Sequence, residues 1–166
     1  MNYDDRYFRA PWGTSLKVIS ASVSLLVIGI FWWAALQDQT PDLPRFLFAL
    51  VPFVLLPGFL LTIIRGYTIS GNVLKIKRLL RSNTVDLTTL RSSVHDPQAM
   101  KGSIRTMGNG GLYSFSGRYR SKKLGSYIAY VNDFNNCVIL VCSSRTVVIS
   151  PENPEMFVEI LNNREQ

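Results

Sequence analysis

Chemistry that depends on a metal or a proton shuttle has little to draw on in this sequence. There is one histidine, His95, and there are two cysteines, Cys137 and Cys142. No second histidine or acidic cluster lies near any of them, so a metal site lacks ligands. His95 stands beside Asp96 in the turn-like "VHDPQ", and adjacency in sequence does not make a triad. Asp86, Asp96 and Asp133 are scattered, and no serine stands in a nucleophile elbow. The chain therefore reads as non-enzymatic, with no cofactor. The cysteines are five apart in a stretch that reads as a strand. An odd separation sends them to opposite faces, and their Cα atoms lie roughly 17 Å apart. They cannot bridge each other, and reduced structural cysteines suit a cytoplasmic domain.

Charge is absent from two long runs. "VISASVSLLVIGIFWWAALQ" has twenty uncharged residues between Lys17 and Asp38, and "FLFALVPFVLLPGFLLTII" has nineteen between Arg45 and Arg65. As helices, both approach the roughly 30 Å thickness of a bilayer's hydrocarbon core. The linker "DQTPDLP", residues 38–44, is short and turn-rich. The runs are thus expected as a two-helix transmembrane hairpin over residues 16–65, after an N-terminal cytoplasmic segment 1–15 that is loosely ordered. Arg6, Arg9 and Lys17 precede the first span, and Arg65, Lys75, Lys77, Arg78 and Arg81 follow the second. The hairpin loop carries only Arg45. The positive-inside rule then puts both termini in the cytoplasm of a multi-pass inner-membrane protein. Trp12 at one end of the first span, and Trp32 and Trp33 at the other, suit interfacial belts. Ser20, Ser24 and Gly29 offer small surfaces for helix contact. No ionisable residue lies inside either span, so a transport path or proton relay has no carrier.

From Gly66 onward the pattern changes to period two with turns, giving a third region, residues 66–166. "GYTISGNVLKIKRL" reads as strand, turn, strand. "LGSYIAYVND", "NCVILVCS" and "RTVVISP" read as three strands, and the connectors "DFNN" and "SSR" are short enough for hairpins. "CVILVC" is apolar throughout, as in a strand buried on both faces. In "SPENPEMFVEILNN", Asn153 is a cap and Pro154 suits the first turn. Phe157, Ile160 and Leu161 share one helix face. The expected fold class is α+β, mostly β: about seven short antiparallel strands closed by a C-terminal helix.

That order resembles the pleckstrin-homology (PH) fold, and more closely the membrane-anchored bacterial PH-like domain family. "YTISGNVLKIKRL", "VDLTTLRS", "GSIRTMGNGGLYSFSGRYRSKKLGSYIAYV" and "VVISPENPEMFVEIL" carry the resemblance, which covers most of residues 66–162. The family is defined by its fold and carries no catalytic residues over. It implies a binding or scaffolding module that contacts anionic lipid or a partner protein, or an accessory subunit of a larger membrane complex. Such domains can form rings, and an exposed edge strand would permit a homo-oligomer. Phosphoinositide-binding PH domains carry a basic K-x-n-(K/R)-x-R pattern at the first hairpin. Here "LKIKRLLR" lies on the second strand and just beyond it, a departure from that pattern.

The stretch "MGNGGLYSFSGRYRSKK", residues 107–123, remains. Its glycines, at 108, 110, 111 and 117, match neither the P-loop nor the dinucleotide fingerprint, and no helix follows to aim at a phosphate. They are expected to serve a tight turn or bulge. Residues 65–81 and 101–123 together hold eleven basic residues and no acid. Tethered beside an anionic leaflet, each cation near the surface contributes roughly 1 kcal/mol. The candidate contacts are Arg118, Arg120, Lys122 and Lys123 in this stretch, with Lys75, Lys77 and Arg78. Arg118, Arg120 and Lys122, two apart, would share one face of a strand, with Lys123 opposite. Alternating aromatic and basic residues also suit single-stranded nucleic acid, a role that two membrane spans oppose.

Overall fold

The computed structural model describes residues 6–37 and 42–163. Most of the expected linker, residues 38–41, lies outside them. Two helices come early in the chain. Helix α1 spans Thr14–Gln37, about 36 Å at 1.5 Å per residue. Helix α2 spans Asp42–Leu60 and contains Pro52 and Pro57. The two pack together, with the Phe31 and Phe48 rings 4.9 Å apart.

The helices do not match the expected pair of equal spans. Only α1, among the described residues, is long and apolar enough to cross a membrane, whereas the apolar part of α2 is Phe46–Leu60. The second uncharged run outlasts its helix because its end is β-branched. After Leu60 the chain tightens, with the amides of Leu61, Thr62 and Ile63 bonding three residues back. Thr62, Ile63 and Ile64 favour extended backbone, and strand β2 begins at Ile64.

The rest is two sheets and a helix. The first sheet orders β1 (Arg6–Arg9), β2 (Ile64–Ser70), β3 (Val73–Arg78) and β4 (Ser82–Asp86) side by side. The second orders β5 (Leu90–His95), β9 (Val138–Cys142), β10 (Thr146–Ile149), β8 (Gly125–Val131), β7 (Phe115–Ser121) and β6 (Ile104–Gly110). Helix α3, Pro154–Asn162, closes the chain.

Three differences from the sequence reading have local causes. The described residues hold ten strands rather than about seven. One addition is β1, in the segment expected to be loosely ordered; it pairs with β2, Phe8 opposite Tyr67. Another is β7. The strands are also not all antiparallel, because β8 and β10 run parallel. "SSR" is a hairpin connector between β9 and β10, but "DFNN" is not. Asp133 accepts from the Asn135 amide at 3.0 Å and starts a single 3-10 turn, Phe134–Asn136. That turn carries the chain past β10, so β9 pairs with β5 and β10 instead of β8.

Two cores result. Between the sheets, Tyr67, Ile69, Leu74, Ile76, Leu140 and Ile149 meet Phe157 and Leu161 of α3. The C-terminal helix therefore does fill the sandwich, with Phe157 set edge-on to Phe8 at 5.0 Å. On the other face of the second sheet, Phe115, Tyr119, Tyr127 and Val148 pack with Leu16, from the first turn of α1. Strand β9 serves both cores, which explains its unbroken apolar run. Cys142 belongs to the first core and Cys137 to the second, on opposite faces as their spacing requires. Both thiols are free and buried, and burial pushes Cys137 up to about 12.

Candidate functional site: a glycine turn at the foot of the helices

Strands β6 and β7 form a hairpin built around a glycine pair. Gly108 lies opposite Gly117, at φ values of 108° and 144°. A Cβ on either would run into the facing backbone, Ser116 O in one case and Met107 O in the other. Only glycine allows this approach. The connecting turn contains Gly111 at φ 120° and Tyr113 at φ 64°. Asn109 braces it from inside: its amide donates to Leu112 O, and its Oδ1 accepts from the Leu112 amide at 3.1 Å. The Tyr119 hydroxyl donates to Asn109 O at 2.9 Å, and burial pushes that phenol up to about 12.

The turn grips α1 and the residue two places beyond α2. Ser20 of α1 donates to Gly111 O at 3.1 Å and accepts from the Tyr113 amide at 2.9 Å. Ser24 and the Tyr113 hydroxyl are bonded at 2.9 Å. Thr62, just after α2, accepts from Asn109 Nδ2 at 2.9 Å and from Ser114 Oγ at 3.3 Å. Ser20 and Ser24 thus hold the turn rather than the neighbouring helix, the role their small size suggested. The arrangement also removes the phosphate-cradle reading on structural grounds. The amides of Gly111, Leu112 and Tyr113 bond to Ser114 O, Asn109 Oδ1 and Ser20 Oγ respectively, so none of these three is left to aim at an anion.

The candidate cations fall into three groups. Arg118 and Arg120 lie on β7, exposed and on the side opposite buried Tyr119. Arg78 reaches the same side of the second sheet from β3, stacking over the Tyr130 ring at 5.1 Å. It is half-buried, and desolvation lowers its pKa from the ordinary value. Lys75 and Lys77 point outward from the first sheet, away from Leu74 and Ile76; the Lys77 ammonium stands 5.4 Å from the Tyr7 ring. Lys122 and Lys123 lie beyond the end of β7, in the turn to β8. Six strand steps from Phe115 put that end roughly 20 Å from the helix foot. Lys123 is paired with Asp96, and that contact holds the Asp96 carboxyl below its usual range.

Near the foot are Lys17 on α1 itself, Arg105, whose guanidinium lies against Gly110, Arg78, opposite Ile64 at the start of β2, and Arg9, opposite Gly66, with Arg65 between Ile64 and Gly66 in sequence. The sequence showed Arg9 and Arg65 only as orientation signals. Their convergence depends on β1 pairing with β2, which a four-residue strand does not announce. Among the described residues no group of His, Cys, Asp and Glu is placed to hold a metal ion.

A family model described as a bacterial PH domain matches residues 65–165. No curated protein and no solved structure matches the chain.

Proposed function

Since the chain belongs to the bacterial PH domain family, we propose that it works as a membrane-anchored, non-enzymatic binding module on the cytoplasmic face. In this reading α1 crosses the inner membrane and α2 returns alongside it, so both termini face the cytoplasm. The region 66–166, completed by β1, rests on the leaflet and contacts anionic headgroups or a partner protein.

The observation that carries this reading is the grip of the 109–114 turn on Ser20, Ser24 and Thr62. A domain on a slack linker presents every face to the bilayer in turn. A domain bonded to both helix feet presents one. Arg9 and Lys77 pair with Gly66, and Arg78 pairs with Ile64, so these cations cluster with Arg65 at the end of the domain next to the helices. Val18, Leu25, Leu26 and Ile30 of α1 are left exposed by the protein, as lipid-facing side chains are.

The test is membrane extraction and topology of the full chain. It should stay with the membrane through alkaline carbonate. A reporter fused at the C-terminus should act in the cytoplasm, and one inserted at residues 38–41 should not. Release into the soluble fraction, or the reverse reporter pattern, overturns the reading.

A second reading, an accessory subunit of a membrane complex, is favoured by β6. It is an edge strand, and it exposes Ile104 and Met107 at 72% and 67%. Stoichiometric co-purification of another membrane protein, lost on Met107→Lys, would select it. An open edge also permits self-assembly.

A further inference from the structure

Between the arm that precedes α1 and the start of β2 lies an open cavity of about 500 Å³. Arg9 and Arg65 supply its two cations, Glu152 its carboxylate, and Tyr7, Trp12 and Ile63 aromatic and apolar wall. Its backbone is closed on itself. Ala10 N donates to Arg65 O at 3.3 Å, Glu152 N to Arg9 O at 2.9 Å, and the Tyr7 hydroxyl to Arg65 O at 2.9 Å. Its charged side chains are not. The ion pair among the described residues is Lys123 with Asp96, so neither guanidinium is spent on Glu152.

Two unpaired guanidinium groups flanking one hollow suit a phosphate, which they can grip through forked N–H donors. A phosphate alone would leave Glu152 facing like charge. A ligand that carries a phosphate and, a few bonds away, an ammonium satisfies all three. Position narrows the source. Trp12 lies two residues before α1, and Ile63 three residues after α2. A hairpin inserted in a bilayer puts the mouth of this cavity among the headgroups.

We infer that the cavity binds the headgroup of an aminophospholipid, its phosphate between Arg9 and Arg65 and its ammonium on Glu152. The inference rests on the membrane reading above and adds a specific ligand and site to it. The exposed lysines and arginines of β3 and β7 then supply general attraction, and this cavity supplies selection.

The experiment takes the full chain from vesicles of mixed phosphatidylethanolamine and phosphatidylglycerol into a non-ionic detergent. Retained lipid is counted by native mass spectrometry. The wild-type chain is expected to keep phosphatidylethanolamine in preference. Arg9→Gln combined with Arg65→Gln should reduce retained lipid about tenfold or more, with an unchanged circular dichroism spectrum because both side chains are exposed. Glu152→Gln should keep lipid but lose the preference. Full retention by the double variant, an unchanged preference in Glu152→Gln, or stripping of the lipid by excess inorganic phosphate would overturn the inference. A chain that stays in carbonate-washed membranes yet shows no preference defeats this inference alone. A chain that leaves those membranes defeats the reading beneath it.

Discussion

Phe157 and Tyr67 show how the residue scale works. Phe157 is fully enclosed, so Phe157→Ala removes a ring from a packed core and should cost about 3–5 kcal/mol. A thermal melt checks this, and an unchanged midpoint would mean that α3 does not fill the sandwich. Tyr67 is buried but polar at its tip. Its hydroxyl donates to Tyr130 O at 2.6 Å and accepts from Ser150 N at 3.1 Å, and burial raises its pKa well above that of an ordinary phenol. Tyr67→Phe keeps the ring and strands the Ser150 amide, at a cost of about 1–3 kcal/mol. The Cys137 thiol, pushed up to about 12 by burial, should resist maleimide at pH 8 until denaturant is added, since the thiolate is the reactive form. Rapid labelling of the folded chain would contradict its placement. Phe157, Leu161 and the divided cysteines were legible because helical and strand periods fix which way a side chain points. Phe8 was not, since "RYFR" is too short to show a period.

At the scale of the element, the β6–β7 hairpin is the informative case. The sequence located the turn and identified its glycines as structural. It could not supply the turn's partner, because Ser20 is 91 residues from Gly111. Pattern reading sees neighbours in sequence, and this contact exists only once the sheet has brought the hairpin to the helix foot. Ser20→Ala removes both bonds to the turn and leaves the Tyr113 amide unpaired. Hydrogen exchange at Tyr113 should then quicken about tenfold, the equivalent of one bond of roughly 1.4 kcal/mol. Unchanged exchange would mean that Ser20 does not hold the turn. Gly117→Ala should be worse than an ordinary surface change, since the facing strand has no room and the φ of 144° is costly for alanine. At the far end of β7, Lys123 lowers the Asp96 pKa. A carboxyl depressed in the folded state contributes stability above its unfolded pKa and loses it as pH falls through the folded one. The contribution should therefore fade only in acid below the usual carboxylate range. It should stay under about 1 kcal/mol, because Lys123 is 65% exposed. Lys123→Gln should flatten that part of the acid titration and leave the neutral-pH melt nearly unchanged.

For the whole molecule, the two uncharged runs and the change to strand periodicity after Gly66 made the division into helices and β domain legible. What they hid is that the division is not a hinge. Leu16 of α1 is fully buried in the second core, and the 109–114 turn bonds to residues of α1 and to Thr62 beyond α2. Hydropathy records which segments avoid water, and is silent on which of them pack against the domain. The central claim is that the β domain sits on the bilayer with the helix feet among the headgroups. Trp12 reports on this once Trp32→Phe and Trp33→Phe leave it as the sole tryptophan of three; both replaced side chains are exposed, at 61% and 64%. The full chain is placed in bilayers whose lipids carry bromine either near the headgroup or at the bilayer centre, and Trp12 emission is recorded. The account expects strong quenching by the shallow bromine and weak quenching by the deep one. Emission unaffected by either would place the helix feet away from the membrane and contradict the claim.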